Sequence, residues 1–472
     1  MYNPKSLKAE EFISHEEVLA TLEYAERNKN NAGLIDSIIE KARLRKGLTH
    51  REAAVLLDCG IEEKNREIYA LAEQIKKDFY GNRIVMFAPL YLSNYCVNGC
   101  VYCPYHAKNK RMMRKKMTQE DIRREVIALQ DMGHKRLAIE AGEDPVNNPI
   151  EYILESIDTI YGIKHKNGAI RRVNVNIAAT TAENYKKLHD AGIGTYILFQ
   201  ETYHKVSYGN LHPTGPKHDY AYHTEAMDRA MLGGIDDVGL GVLFGLELYR
   251  YEFAALLMHA EHLEAAFGVG PHTISMPRIR PADDIDPSAF DNGISDDIFA
   301  KIVACIRISV PYTGMIISTR ESKACRERLL HLGVSQISGG SKTSVGGYSE
   351  PEPEDENTEQ FDVSDTRTLD EVISWLIRLG YIPSFCTACY REGRTGDRFM
   401  SLCKSGQIQN CCHPNALMTL KEYLEDYASP ETKAAGDVLV QTEIGNIPKD
   451  KVRRLVTENL ANISSGLRDF RF

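Results

Sequence analysis

Short apolar runs alternate with longer amphipathic stretches between residues 83 and 340. The amphipathic stretches carry apolar residues at helical spacing, as in TQEDIRREVIALQDMG at 118–133. Strand–helix alternation of this kind predicts parallel βα units, and eight repeats match an α/β fold of the (β/α)8, TIM-barrel type, with a partial barrel as the alternative. The eight predicted strands are 83–92, 136–142, 171–179, 195–202, 237–246, 273–280, 315–320 and 334–340.

The segments on either side of these repeats have a different pattern. Residues 1–82 are predicted to form N-terminal helices, the first opened by a capping box of Ser14 and Glu17. The barrel is expected to occupy residues 83–350, and a mainly helical extension residues 366–472. Acidic residues concentrate at 350–356, so that residues 351–365 are predicted to be an acidic linker or exposed loop.

Composition narrows the class of function. The chain has 57 basic and 66 acidic residues, a formal net charge of −9, which does not favour binding to nucleic acid. No apolar run approaches the ~18 residues that a membrane span needs, and the start of the chain lacks the apolar segment of a secretory signal. The 11 cysteines are odd in number, which argues against a disulfide framework. We therefore expect a cytoplasmic protein with reduced thiols.

Three cysteines, Cys96, Cys100 and Cys103, lie directly after the first predicted strand. Three thiolates can hold three irons of a cubane iron–sulfur cluster and leave the fourth iron open to an external ligand. Zinc prefers four ligands, often in two Cys-x2-Cys pairs about 15–20 residues apart, and no such second pair is near. A zinc site or three unrelated buried thiols are the alternatives. Because barrel active sites lie where the strands end, we expect the cluster at the C-terminal mouth.

Polar residues follow several other predicted strands and should reach the same mouth. Asn174 and Asn176 are two residues apart and share one face of the third strand. Glu201, after the fourth strand, can accept hydrogen bonds from a ribose or pair with a cationic group. Arginine binds a carboxylate in a two-pronged way, as an amino-acid substrate requires, although salt bridges at the barrel rim are the alternative. The candidates for this clamp are Arg278, Arg280 and Arg320, with Ser338 and Ser341 as hydroxyl donors.

The spacing Cys-x3-Cys-x2-Cys, with Tyr102 before the last cysteine, resembles the signature of the radical S-adenosylmethionine (SAM) superfamily. In that superfamily the open iron binds SAM, and one electron from the cluster cleaves it to a 5′-deoxyadenosyl radical. The segment after the second strand resembles the superfamily's Gly-Gly-Glu motif, with Ala141 in place of the first glycine. The resemblance implies SAM, a [4Fe–4S] cluster and an electron donor of the flavodoxin or ferredoxin type. The residues expected beside SAM are Tyr102, Gly142, Glu143, Asn174, Asn176 and Glu201.

The runs at 199–204, 241–246 and 277–281 resemble the radical SAM lyases of aromatic amino acids. That family implies L-tyrosine as the substrate and cleavage of its Cα–Cβ bond to p-cresol and dehydroglycine. The resemblance assigns the tyrosine carboxylate to Arg320 with Ser338 or Ser341.

The C-terminal region carries Cys386, Cys389 and Cys412 in the spacing Cys-x2-Cys-x22-Cys. This spacing resembles the extension of the [FeFe]-hydrogenase maturase branch of the same family. It implies a second [4Fe–4S] cluster, conversion of dehydroglycine to carbon monoxide and cyanide, and other hydrogenase maturation proteins as partners. The adjacent Cys411 is an alternative to Cys412, and a Cys3His zinc site with His413 is an alternative to the cluster.

The resemblance also implies an additional iron near the second cluster, held by a histidine near the mouth. His272, just before the sixth strand, is expected to be that ligand, in preference to His259 and His262 in a helical segment. Two rival functions are a tyrosine lyase of the thiamine pathway, a 2-iminoacetate synthase that needs no second cluster, and a non-catalytic carrier of an iron–sulfur cluster.

Overall fold

Eight parallel strands form a closed barrel in the computed structural model, which describes residues 1–350 and 357–472. The barrel strands follow the order β10-β9-β8-β7-β6-β5-β2-β1, and β10 pairs back with β1. Every predicted strand is present, so the predicted (β/α)8 barrel is confirmed. The strands are β1 (Arg83–Ser93), β2 (Arg136–Ala141), β3 (Lys164–His165), β4 (Gly168–Ala169), β5 (Arg172–Asn176), β6 (Tyr196–Glu201), β7 (Val238–Val242), β8 (Thr273–Ser275), β9 (Gly314–Ile317), β10 (Gln336–Ser338) and β11 (Ile382–Ser384).

Helices surround the barrel and build both flanking regions. They are α1 (Ala9–Phe12), α2 (His15–Asn28), α3 (Ala32–Arg43), α4 (His50–Asp58), α5 (Glu62–Tyr80), α6 (Gln119–Asp131), α7 (Ile150–Gly162), α8 (Ala182–Asp190), α9 (Lys205–Leu211), α10 (Tyr220–Thr224), α11 (Ala226–Leu232), α12 (Tyr249–Phe267), α13 (Asp296–Ser309), α14 (Lys323–Leu332), α15 (Leu369–Arg378), α16 (Ala388–Arg391), α17 (Gly396–Lys404), α18 (Gln409–Asp426), α19 (Pro430–Gly445) and α20 (Asp450–Ser464), with short 3-10 helices at Pro216–His218 and Pro287–Phe290.

The strands formed as predicted because both of their faces are buried. Every residue of β7 and of β9 is buried, between helices outside and side chains within the barrel. Parallel strands in this situation appear in the sequence as continuous apolar runs, which is the pattern that indicated them.

Only half of the predicted capping box of α2 is formed. The Ser14 hydroxyl accepts a hydrogen bond from the Glu17 backbone N–H at 3.4 Å. The Glu17 carboxylate pairs instead with Arg51 and His50 of α4, at 2.6 and 3.0 Å. Tertiary ion pairs therefore replace the local contact.

The predicted acidic linker is only partly described, because residues 351–356 lie outside the described residues. Residues 357–365 form no helix or strand, as expected of a loop, but only part of this segment is exposed. The Thr343 hydroxyl donates to the Phe361 carbonyl at 2.9 Å, and the Val345 N–H donates to the Thr358 hydroxyl at 3.0 Å. The Tyr91 hydroxyl donates to Gln360 at 3.0 Å, so this segment packs across the mouth of the barrel.

The C-terminal extension is attached at the opposite end. Its strand β11 runs parallel to the beginning of β1, with Ile382 beside Arg83, and α18 packs against β11. Within the described residues, no helix is long and apolar enough to span a membrane.

Candidate active site

Cys96, Cys100 and Cys103 follow β1 at the C-terminal mouth, as predicted, and all three border one cavity inside the barrel. Burial raises the pKa of the Cys100 thiol to about 11, although the nearby positive charge of Lys217 acts to lower it. A bound metal deprotonates such thiols, so this donor set fits a cationic iron site. Among the described residues, no three Cys, His, Asp or Glu side chains are close enough to hold a single metal ion. Three thiols on one cavity fit the three protein ligands of a cubane cluster that leaves one iron open.

The loop that carries the triad is held against the end of β2. The Val97 N–H donates to the Glu143 carbonyl at 2.8 Å, and the Gly142 N–H donates to the Ser93 carbonyl at 3.0 Å. A Cβ atom on Gly142 would overlap the Tyr95 carbonyl oxygen and crowd Cys96. Glycine is thus required here by the close approach of two chain segments.

We expect Gly142→Ala to lower the free energy of unfolding by about 1–3 kcal/mol and to reduce iron uptake, because the added methyl group displaces the cysteine loop. Gly162→Ala, at the open end of α7, is the matched control, since nothing lies within 4 Å of its added Cβ. Thermal unfolding and iron content after reconstitution measure both effects. Equal behaviour of the two variants would show that the contact with Tyr95 does not constrain the loop.

The residues predicted to bind SAM converge on this cavity. Tyr102, Gly142, Glu143, Asn174, Asn176 and Glu201 all border it. The Asn98 amide donates to the Glu143 carboxylate at 2.6 Å, and the Tyr102 hydroxyl contacts His212 at 2.7 Å. Asn174 also has a structural role, because its side-chain oxygen accepts a hydrogen bond from the Thr195 N–H at 3.1 Å.

Glu201 is held in an unusual backbone conformation at the end of β6. Its φ is +68°, and the pairing of β6 with β7 shifts register between Phe199 and Glu201. Such an irregularity re-aims a side chain, here into the cavity. Lys217, which sequence reasoning missed, donates to the Glu201 carboxylate at 3.0 Å. Burial lowers the pKa of Lys217, but the charges of Glu201 and Cys100 outweigh it, and the pKa lies above its ordinary value.

Arg320 and Ser338 reach the same cavity from β9 and β10. The Arg320 guanidinium lies 3.5 Å from the centre of the Phe361 ring, and no carboxylate of a described residue is within ion-pair distance. The Ser338 hydroxyl is buried and has no hydrogen-bond partner among the described residues. Both groups are therefore available to a carboxylate inside the barrel.

Of the other predicted members of the clamp, Arg278 and Ser341 lie outside the cavity lining, and Arg280 borders the cavity. Arg278 does not border the cavity; its guanidinium pairs with Glu321 and, at 2.7 Å, with Asp296. Arg280 borders the cavity but also pairs with Glu321. Ser341 is buried with an unpartnered hydroxyl outside the cavity lining. The expectation that Arg278 binds substrate is corrected, because a buried salt bridge already occupies its guanidinium. A salt bridge at the barrel rim was the alternative for this residue.

Glu140, at the end of β2, faces the cavity near Arg320 and Asn176. Burial raises its pKa to about 8, against the opposing charge of Arg320. Between the ordinary pKa and about 8, the folded protein holds a proton that the unfolded chain has lost, so stability falls as pH rises through this window. Between about pH 5 and about pH 8, we expect the unfolding temperature of the wild type to fall relative to that of Glu140→Gln. Above about pH 8, the difference between the two proteins should stay constant. Parallel curves for the two proteins would contradict the raised pKa.

The second triad lies at the other end of the barrel. Cys386 follows β11, and its carbonyl accepts a hydrogen bond from Arg136 at the start of β2, at 2.9 Å. The Cys412 thiol hydrogen-bonds the Cys389 sulfur, which lowers the pKa of Cys389 and raises that of Cys412. The charge of Cys389 raises the pKa of Cys386, and the charge of Cys386 raises the pKa of Cys412, so Cys386 lies near both. These three sulfurs thus converge, as the spacing predicted.

The alternatives at this end fit less well. His413 is directed to Glu443, whose carbonyl oxygen lies 3.2 Å from its Nε2. The Cys3His zinc site therefore lacks its fourth ligand. Cys411 is half-buried, and its charge raises the pKa of Arg394. Cys412, in contrast, is buried and contacts Cys389.

His272 lies at the start of β8, not near the mouth where the sequence placed it. This is the end that carries the second triad. Its Nε2 contacts the Tyr390 hydroxyl at 2.7 Å, and its Nδ1 lies 3.3 Å from Asp237. Tyr390, in the same segment as Cys389, was not singled out from the sequence, and its ring also stacks against Arg172 at 2.8 Å.

Comparison with known proteins places this site in a class. The profile of the radical SAM superfamily matches residues 90–257, and that of the biotin and thiamin synthesis associated domain matches residues 275–382. A 2-iminoacetate synthase of Salmonella typhimurium is 29% identical over 347 residues, 73% of this chain and 89% of that protein. The fold and the site thus define a radical SAM enzyme.

Two solved structures narrow this class. A crystal structure of HydG, a maturase of the [FeFe]-hydrogenase, is 56% identical, covers 98% of this chain and 100% of its own, and has a TM-score of 0.94. HydG from Carboxydothermus hydrogenoformans is 38% identical, with coverages of 96% and 99% and a TM-score of 0.83. The chain belongs to the HydG family, and it is a radical SAM enzyme of the tyrosine lyase type.

Proposed function

We propose that this protein cleaves the Cα–Cβ bond of L-tyrosine to p-cresol and dehydroglycine, and converts dehydroglycine to carbon monoxide and cyanide for assembly of the [FeFe]-hydrogenase cofactor. The observation that carries the lyase step is a single cavity that the first cysteine triad shares with Arg320, which has no carboxylate partner among the described residues, and Ser338, whose hydroxyl has no hydrogen-bond partner among them. The similarity to a 2-iminoacetate synthase and to HydG, a hydrogenase maturase, supports the same function.

At the mouth, Cys96, Cys100 and Cys103 would hold a [4Fe–4S] cluster. When SAM is bound there, it supplies the radical that starts the reaction. Glu143 and Glu201 line the cavity beside the triad and are suited to the amine and ribose groups of SAM. The barrel wall around this cavity would shield reactive species from water and oxygen.

Tyrosine would lie with its carboxylate between Arg320 and Ser338. The guanidinium can donate two parallel hydrogen bonds, and the serine hydroxyl a third. Because the ring of Phe361 supports the guanidinium from one side, the arginine is oriented before the substrate arrives.

At the opposite end, Cys386, Cys389 and Cys412 would hold a second [4Fe–4S] cluster. Such a cluster would supply the iron on which carbon monoxide and cyanide form. The position of His272 at this end is compatible with an additional iron, provided that Tyr390 releases its Nε2. By the same family relationship, the partners proposed are other hydrogenase maturation proteins and a flavodoxin or ferredoxin.

The test is reconstitution with iron and sulfide without oxygen, followed by SAM, tyrosine and dithionite, with p-cresol, cyanide and carbon monoxide measured together. All three products are expected. p-Cresol without cyanide would instead indicate a 2-iminoacetate synthase, which the S. typhimurium relative favours. 5′-Deoxyadenosine alone would exclude tyrosine as the substrate, and no SAM cleavage at all would indicate an iron–sulfur carrier.

A further inference from the structure

The loop that carries the first cysteine triad exposes two apolar side chains on the outside of the protein. Val97 and Val101 are 39% and 45% exposed, although each directly follows a cysteine of the triad. Neither valine borders the cavity. The loop is held in place on both sides, by the bond from Val97 to Glu143 and by the Val101 N–H, which donates to the Leu211 carbonyl at 3.0 Å. The valines therefore form an apolar surface that the fold does not cover.

A basic segment follows this loop. Six of the nine residues 108–116 are Lys or Arg, in a chain whose net charge is −9. Arg114 serves the fold, since its guanidinium donates to the carbonyls of Asn94 and Tyr105 at 2.7 and 2.8 Å. Arg111 pairs with Asp284.

Lys108 and Lys110 remain on the surface. Both are exposed, and neither has an acidic partner within ion-pair distance among the described residues. The Ala107 N–H donates to the Asn98 carbonyl at 2.7 Å, which joins the basic segment to the cysteine loop. This backbone bond thus joins a loop with two exposed apolar side chains to a segment with two exposed lysines that have no acidic partner among the described residues.

We propose that this docking surface, formed by Val97, Val101, Lys108 and Lys110, receives an acidic one-electron carrier protein. A small apolar centre with a charged rim is typical of weak, transient contacts such as those of electron-transfer proteins. Opposite charge raises the rate of encounter and orients the partner, even though the whole chain is acidic. Because Val97 directly follows Cys96 and Val101 directly follows Cys100, a carrier docked on these valines would lie close to a cluster held by the triad.

The step balances as a transfer of one electron. An anionic flavin hydroquinone becomes the neutral semiquinone, and a cluster held by the triad passes from [4Fe–4S]2+ to [4Fe–4S]+. The inference deepens the proposed function, on which it rests for the presence of that cluster.

The test compares Lys108→Glu/Lys110→Glu with Lys449→Glu/Lys451→Glu in the reconstituted full chain. The control pair has the same spacing and change of charge, and both of its lysines are exposed at the start of α20. The probe is reduced flavodoxin. Two readouts are the rate of semiquinone formation in stopped flow and the binding of flavodoxin by surface plasmon resonance, each at low and high salt.

We expect the Lys108→Glu/Lys110→Glu protein to accept electrons from flavodoxin about tenfold more slowly than the wild type at low salt, with weaker binding. High salt should narrow this difference because it screens exposed charges. Reduction by dithionite, which needs no docking, should be unchanged, and the control variant should behave as the wild type does.

Three results would overturn the proposal: an unchanged flavodoxin rate, an equal loss with dithionite, or an equal loss in the control variant. Loss of self-association without loss of flavodoxin binding would assign the surface to a second copy of the chain. Failure of the proposed function can be distinguished from failure of this proposal. If the wild type forms no p-cresol from tyrosine with dithionite, the proposed function fails, but the rate at which flavodoxin reduces the protein can still be measured.

Discussion

Replacing both Cys386 and Cys389 by serine is expected to abolish cyanide and carbon monoxide while p-cresol is still formed. The two cysteine triads lie at opposite ends of the barrel, the first after the C-terminal end of β1 and the second beside its beginning. The groups proposed to hold tyrosine, Arg320 and Ser338, border the cavity of the first triad only. Loss of the second triad should therefore leave cleavage of tyrosine possible.

The measurement is the yield of all three products, with iron content per chain as the check on cluster loss. Cys411→Ser is the matched control, because it changes a neighbouring thiol outside the convergent set and should retain all products. If the variant lacking Cys386 and Cys389 formed only background p-cresol, the two ends of the barrel would not act independently in the two steps. If Cys411→Ser loses cyanide while Cys412→Ser retains it, the assignment of Cys412 is wrong.

The architecture followed from the sequence because its signals are local and repeated. Most residues of the barrel strands are buried, and most of the strands appear in the sequence as short, mainly apolar runs bounded by turns or amphipathic helix. The first triad and the cavity-lining polar residues followed from the same rule, since parallel strands bring their C-terminal ends to one edge.

The errors concern residues whose role depends on a distant partner. Arg278 has the side chain that a substrate clamp needs, but Glu321, 43 positions along the chain, occupies it. His272 was placed at the wrong end because it precedes a strand instead of following it. Lys217 lies in the short 3-10 helix after α9 and gains its role only through the contact with Glu201. Such contacts have no periodic signal.

Substitution of Arg320 should reduce activity nearly as strongly as loss of the cysteines. Arg320→Gln is expected to lower kcat/KM for tyrosine by roughly a hundredfold, since two charge-assisted hydrogen bonds to the carboxylate are lost. Arg320→Lys should recover only part of it, because an ammonium group keeps the charge but not the two-pronged geometry. Arg280→Gln is the matched control: that side chain also borders the cavity, but it pairs with Glu321, and we expect its effect to be several times smaller.

Binding of tyramine separates recognition of the carboxylate from support of the cavity, because tyramine has the ring and amine of tyrosine but no carboxylate. In the reconstituted protein with SAM, Arg320→Gln should raise the Kd of tyrosine and leave that of tyramine unchanged. Equal weakening of both ligands would mean that Arg320 shapes the cavity through its stacking on Phe361 rather than binding the carboxylate. Of the three arginines that the sequence offered, the structure leaves only Arg320 without a carboxylate partner among the described residues. A carboxylate inside the barrel would give that guanidinium the partner that Glu321 gives to Arg278 and Arg280.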